Sequence, residues 1–188
     1  MVKIIYNITI MFDFFKKRKL KSLLRKNKRQ RAFLNMEAIQ SVLVLFETSD
    51  YEAVDLFVEG LLEKGKSVDG YAFRVKNDTF DYSETNYKII SAKENSEKSG
   101  IPGEELLKQL KIRHYDVVID LTVKEIFSLQ YILAIVNATM TAGLKKNKLP
   151  FYDFSISKLP KTKDSESSQV GELIKSIDFY LKTIKGAR

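Results

Sequence analysis

Residues 113–144 read RHYDVVIDLTVKEIFSLQYILAIVNATMTAGL, and this stretch decides the fold. YDVVIDL (115–121) is a nearly continuous apolar run, as a strand buried on both faces requires. It leads into an apolar helix expected over 124–138, opened by Thr122-Val123-Lys124-Glu125 as a capping box. A short strand of small residues, 140–143, follows and ends at Gly143. Strand, helix, strand in this order describes one unit of an open parallel α/β sheet.

The same alternation extends in both directions. SVLVLFE (41–47) is a second continuous apolar run. Ser49-Asp50-Tyr51-Glu52 has the form of a capping box, and the helix behind it carries Val54, Phe57, Val58, Leu61 and Leu62 inward before Gly65, a C′ residue. A strand is expected over 68–75, with Gly70 as a candidate bulge, and a weak one over 87–92. Polar loops are expected over 77–86 and 93–103, and a short helix over 104–110. Beyond Gly143 come a basic turn at 145–148, a last strand over 151–156, a polar loop to 168 and a closing amphipathic helix over 169–184. The expected architecture is a Rossmann-like α/β three-layer sandwich with a mostly parallel sheet of five or six strands, preceded by a basic N-terminal helix. Two segments are expected, a basic arm over 1–40 and the α/β domain over 41–188.

Charge is distributed unevenly. The 188 residues carry a formal net charge of +8. Residues 1–40 hold 11 Lys/Arg against 2 Asp/Glu, whereas the rest is close to neutral. Such an asymmetry points to an anionic partner for the arm: lipid headgroups, nucleic acid or an acidic protein face. A helix is expected over 12–34. Phe12, Phe15, Leu20, Leu23 and Leu24 share a stripe flanked by Lys16 and Lys19, with Lys17, Arg18, Lys21, Arg25 and Lys28 mostly opposite. Contact with an anionic surface would fall on Phe12, Phe15, Lys16, Lys17, Arg18, Lys19, Lys21, Arg25 and Lys26, the two aromatics as anchors. The other reading is a stripe that docks on its own domain or on a twin subunit. RNA binding through the same arm is a third, weaker reading. Residues 1–10 are apolar and β-rich, either a genuine extension or a lead-in to a start at Met11. They fit neither a transmembrane span nor a signal peptide, so the expected location is cytoplasmic, with a peripheral position at the inner membrane face if the arm meets lipid.

In an open α/β sheet the ligand crevice lies beyond the carboxyl ends of the strands. The candidates there are Glu47, Thr48 and Ser49, then Asp120, Thr122 and Lys124, then Thr141 and Gly143, with Lys145 and Lys146 just beyond. Glu47, Ser49, Asp120, Thr122 and Gly143 form the ligand-crevice set. No catalytic set is complete. The first βα turn, ETSDY (47–51), has no glycine, and its carboxylates would repel a phosphate at a helix N-terminus. Both the dinucleotide fingerprint and the P-loop are absent. Asp116 and Asp120 share a strand face about 13 Å apart, too far for a direct acid–base pair. Asp120 reads either as a ligand contact or as an acceptor for backbone amides in its own turn. The one histidine, His114, lies at the opposite end of its strand. The chain has no cysteine, which removes disulfides and thiol-based metal or redox chemistry. Neither a cofactor nor a metal is expected.

YDVVIDL…YILAIVNATMTAGL resembles the N-terminal half of heptosyltransferase-like (GT-B) glycosyltransferases. That likeness would imply a nucleotide-sugar enzyme, or half of one, because such enzymes need two Rossmann-like domains and this chain has length for one. Over residues 20–185 the chain resembles an uncharacterised bacterial family of short proteins, through the basic helix, SVLVLF, YDVVIDLT…FSLQYI and the terminal YLKTI. That likeness implies no activity. The leading expectation is a non-enzymatic or degenerate Rossmann-like binding module whose cationic arm meets an anionic surface or partner. The glycosyltransferase-like enzyme is the alternative.

Overall fold

The computed structural model describes residues 2–79, 81–91, 100–159 and 169–184, with side chains from residue 14 onward. Residues 92–99 and 160–168, parts of segments expected as strand end and polar loops, lie outside the described residues, as does the side chain of Phe12.

Six parallel strands form one sheet in the order β3-β2-β1-β4-β5-β6. They are β1 (Ser41–Glu47), β2 (Ser67–Phe73), β3 (Tyr87–Ile90), β4 (His114–Asp120), β5 (Asn137–Leu144) and β6 (Phe154–Ile156). The helices are α1 (Val2–Lys26), α2 (Tyr51–Glu63), α3 (Glu104–Ile112), α4 (Phe127–Ile135) and α5 (Gln169–Thr183). The sheet is the expected α/β sandwich, Rossmann-like, and its order is that of dinucleotide-binding folds. One face buries Val42, Val44, Phe46, Val117, Ile119 and Met140 against α2 and α5. The other buries Leu43, Leu45 and Val118 with α3, α4 and the second half of α1. Because β1 and β4 are covered on both sides, their central residues, Val42 to Phe46 and Val117 to Ile119, are apolar at successive rather than alternate positions.

Several local expectations shift. The first helix runs from Val2 to Lys26 rather than over 12–34, so the β-rich residues near the start are helical. Neither capping box forms. A turn of 3-10 helix, Thr48–Asp50, precedes α2, and α4 begins at Phe127 without a side-chain cap, five residues after Thr122. Gly65 does end α2: its φ is +74°, and the amides of Gly65 and Lys66 donate back to Leu62 and Leu61. Gly70 is not a bulge, because β2 pairs in unbroken register on both sides. It is bare because the Tyr87 ring lies against it, where a Cβ would come within 2.1 Å of Tyr87 Cδ1. β5 has eight residues rather than four, since Asn137 to Thr139 still pair with or lie beside β4.

Residues 20–39 pack on the α/β sandwich. Leu20 is fully buried, and Leu23 and Leu24 pack beside it. Asn27 donates to the carbonyls of Ala134 and Val136 at the end of α4. The chain then follows the outer edge of β5, where β6 is too short to reach: Arg29 donates to the Ala138 carbonyl and the Ala32 amide to that of Thr139. This covers an edge that would otherwise expose unpaired carbonyls. The segment thereby passes from one face of the sheet to the other, and Met36 and Ile39 enter the opposite core. Its clasp is a buried ion pair, Arg29 Nη2 to Asp153 Oδ2 at 2.9 Å. Asp153 also accepts from the amide and hydroxyl of Thr141, at 2.9 Å each.

Removing one partner of such a pair strands a buried charge. Asp153→Ala should therefore cost about 3–5 kcal/mol in urea denaturation, and the Ala32 amide should lose hydrogen-exchange protection. A loss below about 1 kcal/mol would show that the clasp does not hold the segment.

Candidate functional site

Strand order reverses between β1 and β4, and the crevice opens beyond their carboxyl ends. Its floor is a knot around Asp120, the last residue of β4, which is 1% exposed. Oδ1 accepts from the amide and hydroxyl of Thr122, at 2.9 and 2.6 Å. Oδ2 accepts from Lys146 Nζ at 2.7 Å and from the Tyr152 hydroxyl at 2.6 Å. Lys146, its side chain 6% exposed, also donates to the carbonyl and hydroxyl oxygens of Thr122. All three of its donors are thus used. Burial, and then the Asp120 carboxylate, hold the Tyr152 phenol protonated, well above its ordinary range.

The sequence anticipated half of this. Asp120 and Thr122 meet, and Asp120 accepts its own turn's amide as one of the two readings required. Tyr152 was not anticipated. Its signal is Gly143: a Cβ there would lie 2.7 Å from Tyr152 Cε1 and 3.0 Å from the Asp120 carbonyl. Gly143 therefore lets the tyrosine lie flat on β5 and reach Asp120. A glycine inside a strand often marks such a close approach.

Glu47, the last residue of β1, is 6% exposed. Its side chain makes no hydrogen bond or ion pair among the described residues, in contrast to the saturated Asp120. Burial raises its carboxyl above the usual range; Lys124 opposes that rise, while Asp50 adds to it. Lys146 and Asp120 act on it more weakly. Ser49 stands apart: it is exposed, it contacts Asp50, and it lines a separate hollow with Thr48, Tyr51 and Tyr82.

The amino end of the sheet holds the other candidates. Asp116 accepts from the amides of Gln40 and Ser41, at 2.8 Å each, and from the Ser41 hydroxyl. Against the opposing effect of burial, these bonds hold its carboxyl below the usual range. His114 contacts Asn137 and Thr139 there, away from the crevice. Among the described residues no cluster of acidic, histidine or cysteine side chains could hold a metal ion, and no helix is long and apolar enough to cross a membrane.

Of the residues in the arm, Lys17, Arg18, Lys19, Lys21, Arg25 and Lys26 are exposed. Lys16 lies over the Phe127 ring, 5.1 Å from its centroid. Phe14 and Phe15 are 62% and 57% exposed. Phe14, Lys17, Arg18 and Lys21 face Asn147, Lys148 and Leu149 across a groove of about 620 Å³. Phe127 and the 147–149 turn both follow carboxyl ends of strands, whereas Asn27 reaches the end of α4 near the amino end of β5. The basic, aromatic part of α1 is therefore at the crevice end of the sheet.

Two stability measurements test the site. Lys146→Met leaves Asp120 buried without its cation and should cost about 3–5 kcal/mol; Asp120→Asn combined with Lys146→Met should cost less than the sum of the two single changes, as coupled partners require. Glu47 has the opposite sign. The folded chain holds its proton more tightly than the unfolded chain, so its contribution to stability falls as pH rises through the carboxylate range. Glu47→Gln should stabilise the fold slightly at pH 7 in urea denaturation, a gain that shrinks toward zero below about pH 4.

Neither a curated protein nor a solved structure matches the chain. Residues 13–184, from the aromatic part of α1 to the end of α5, match the model of a family of unknown function, DUF6913, and the chain belongs to that family.

Proposed function

We propose that the protein is a peripheral binding module whose first helix seats it on an anionic lipid surface. The observation that carries this reading is the pair Phe14 and Phe15, both more than half exposed amid Lys17, Arg18, Lys19 and Lys21. Within the next three turns of the same helix, Leu20, Leu23 and Leu24 are already committed to the core, so packing against the domain accounts for the second half of the stripe and not for the first. Ile4, Ile5, Ile8, Ile10 and Met11 precede the aromatics in the same helix. Aromatic rings beside Lys and Arg suit the boundary between headgroups and acyl chains, and each cation near an anionic leaflet contributes about 1 kcal/mol. Nucleic acid would use the cations but would leave the two adjacent phenylalanines without a role, since no RNA-recognition signature accompanies them.

The test is co-sedimentation of the full chain with phosphatidylglycerol-containing vesicles and with neutral phosphatidylcholine vesicles. Truncation is a poor control, because residues 20–39 are part of the fold. Instead, Phe14→Ser with Phe15→Ser should lower binding by about tenfold or more, and Lys17→Glu, Arg18→Glu and Lys21→Glu together should abolish it. Salt at about 0.5 M should release the protein. Equal binding to neutral vesicles, or retention on single-stranded RNA with no vesicle binding, would overturn the proposal.

A further inference from the structure

The groove between α1 and the 147–149 turn has two walls, and adsorption of α1 on a surface uses only one of them. Phe14, Lys17, Arg18 and Lys21 fall at helical spacings of three, four and seven, one stripe of α1 about 10 Å long. Lys148 and Leu149 form the facing wall, across about 620 Å³, a volume in the range of small-molecule sites. Both walls are fixed by the fold. Leu20, Leu23 and Leu24 hold α1 in the core. Asn147 holds the turn: its Nδ2 donates to Glu125 Oε2 at 2.8 Å, and its Oδ1 accepts from the Leu149 amide at 2.9 Å. We propose that this groove binds one anionic phospholipid, its phosphate among Lys17, Arg18, Lys21 and Lys148 and the start of an acyl chain against Phe14 and Leu149.

Charge and polarity select that occupant. Lys17, Arg18, Lys21 and Lys148 are exposed, and none of them forms an ion pair among the described residues. Among those residues no carboxylate lines the groove; that of Glu125 is engaged by Asn147 and Gln130. Cations on two facing walls with no counter-ion between them favour an anion. A free phosphate would answer the charge but leave Phe14, 62% exposed, and Leu149 facing water. A zwitterionic lipid would bring a cation of its own into the cluster. An anionic phospholipid meets the charge and the apolar walls in one molecule. The inference rests on the lipid reading of α1 and narrows it: contact with the surface includes a site for a single lipid, to which Lys148 and Leu149, outside α1, contribute.

Titration of the full chain with dihexanoyl phosphatidylglycerol, soluble and below its micelle concentration, tests the groove apart from any vesicle. Calorimetry should show saturable binding of one lipid per chain, and NMR should show the backbone amide resonances of Lys21, Lys148 and Leu149 moving with it. Dihexanoyl phosphatidylcholine, which has the same chains, and glycerol 3-phosphate, which has none, should each bind at least about tenfold more weakly. Lys148→Glu alters an exposed side chain outside α1 and should weaken the lipid by about tenfold or more. Phe14→Ser, also at an exposed position, should weaken it several-fold. Vesicle co-sedimentation without soluble-lipid binding overturns the groove site and leaves the surface seat standing, whereas loss of both overturns the lipid reading as well. Equal binding of the phosphatidylcholine or of glycerol 3-phosphate, or lipid binding unchanged in Lys148→Glu, also overturns the site.

Discussion

One carboxylate organises the carboxyl end of this sheet. Asp120 takes four donors from three places in the chain: its own turn, the turn after β5 and Tyr152 in the segment leading into β6. Buried charge is tolerated only when it is paired and hydrogen-bonded, and here the requirement is met so completely that the 121–126 turn, Lys146 and Tyr152 have one arrangement. The bare Cα of Gly143 is part of the same device, because without it the tyrosine could not approach. The crevice between β1 and β4 thus has a fixed wall.

A second constraint acts at the sheet's outer edge. β6 pairs only with Ala142, Gly143 and Leu144, leaving the earlier half of β5 open on that side. The segment after α1 fills the gap, with Arg29 and Ala32 meeting its carbonyls and Asp153 clasping Arg29. This use of the basic segment also sets where α1 can go. Anchored at Leu20 and Asn27, the helix must carry Phe14, Phe15 and their neighbouring lysines to the crevice end.

Much of the fold was legible in the sequence. The doubly buried strands read as continuous apolar runs over 41–47 and 115–121, and their alternation with amphipathic helices required a parallel sheet. Gly65 was legible as a helix stop because an αL residue after a helix is a local need. The capping boxes were misleading for the same local reason. Thr122 has the spacing of a cap, but its hydroxyl is drawn to Asp120, a tertiary competitor that no spacing reveals. The candidate site was half legible: Glu47, Asp120 and Thr122 lie where strands end, but Tyr152 reaches the site from 32 residues away.

The sequence by itself determined the layered α/β class, the lack of a phosphate loop and the concentration of positive charge before residue 41, because each depends on nearest neighbours and periodicity along the chain. The tertiary structure alone decided which cations are solvated and which are structural. Arg29 and Lys146 sit in basic runs indistinguishable from those of Arg18 or Lys145, yet one clasps a sheet edge and the other neutralises the core carboxylate. It also decided that Asp120 is saturated while Glu47 keeps contact with solvent. Burial and hydrogen-bond satisfaction are properties of contacts between distant segments, and those contacts exist only once the sheet has closed.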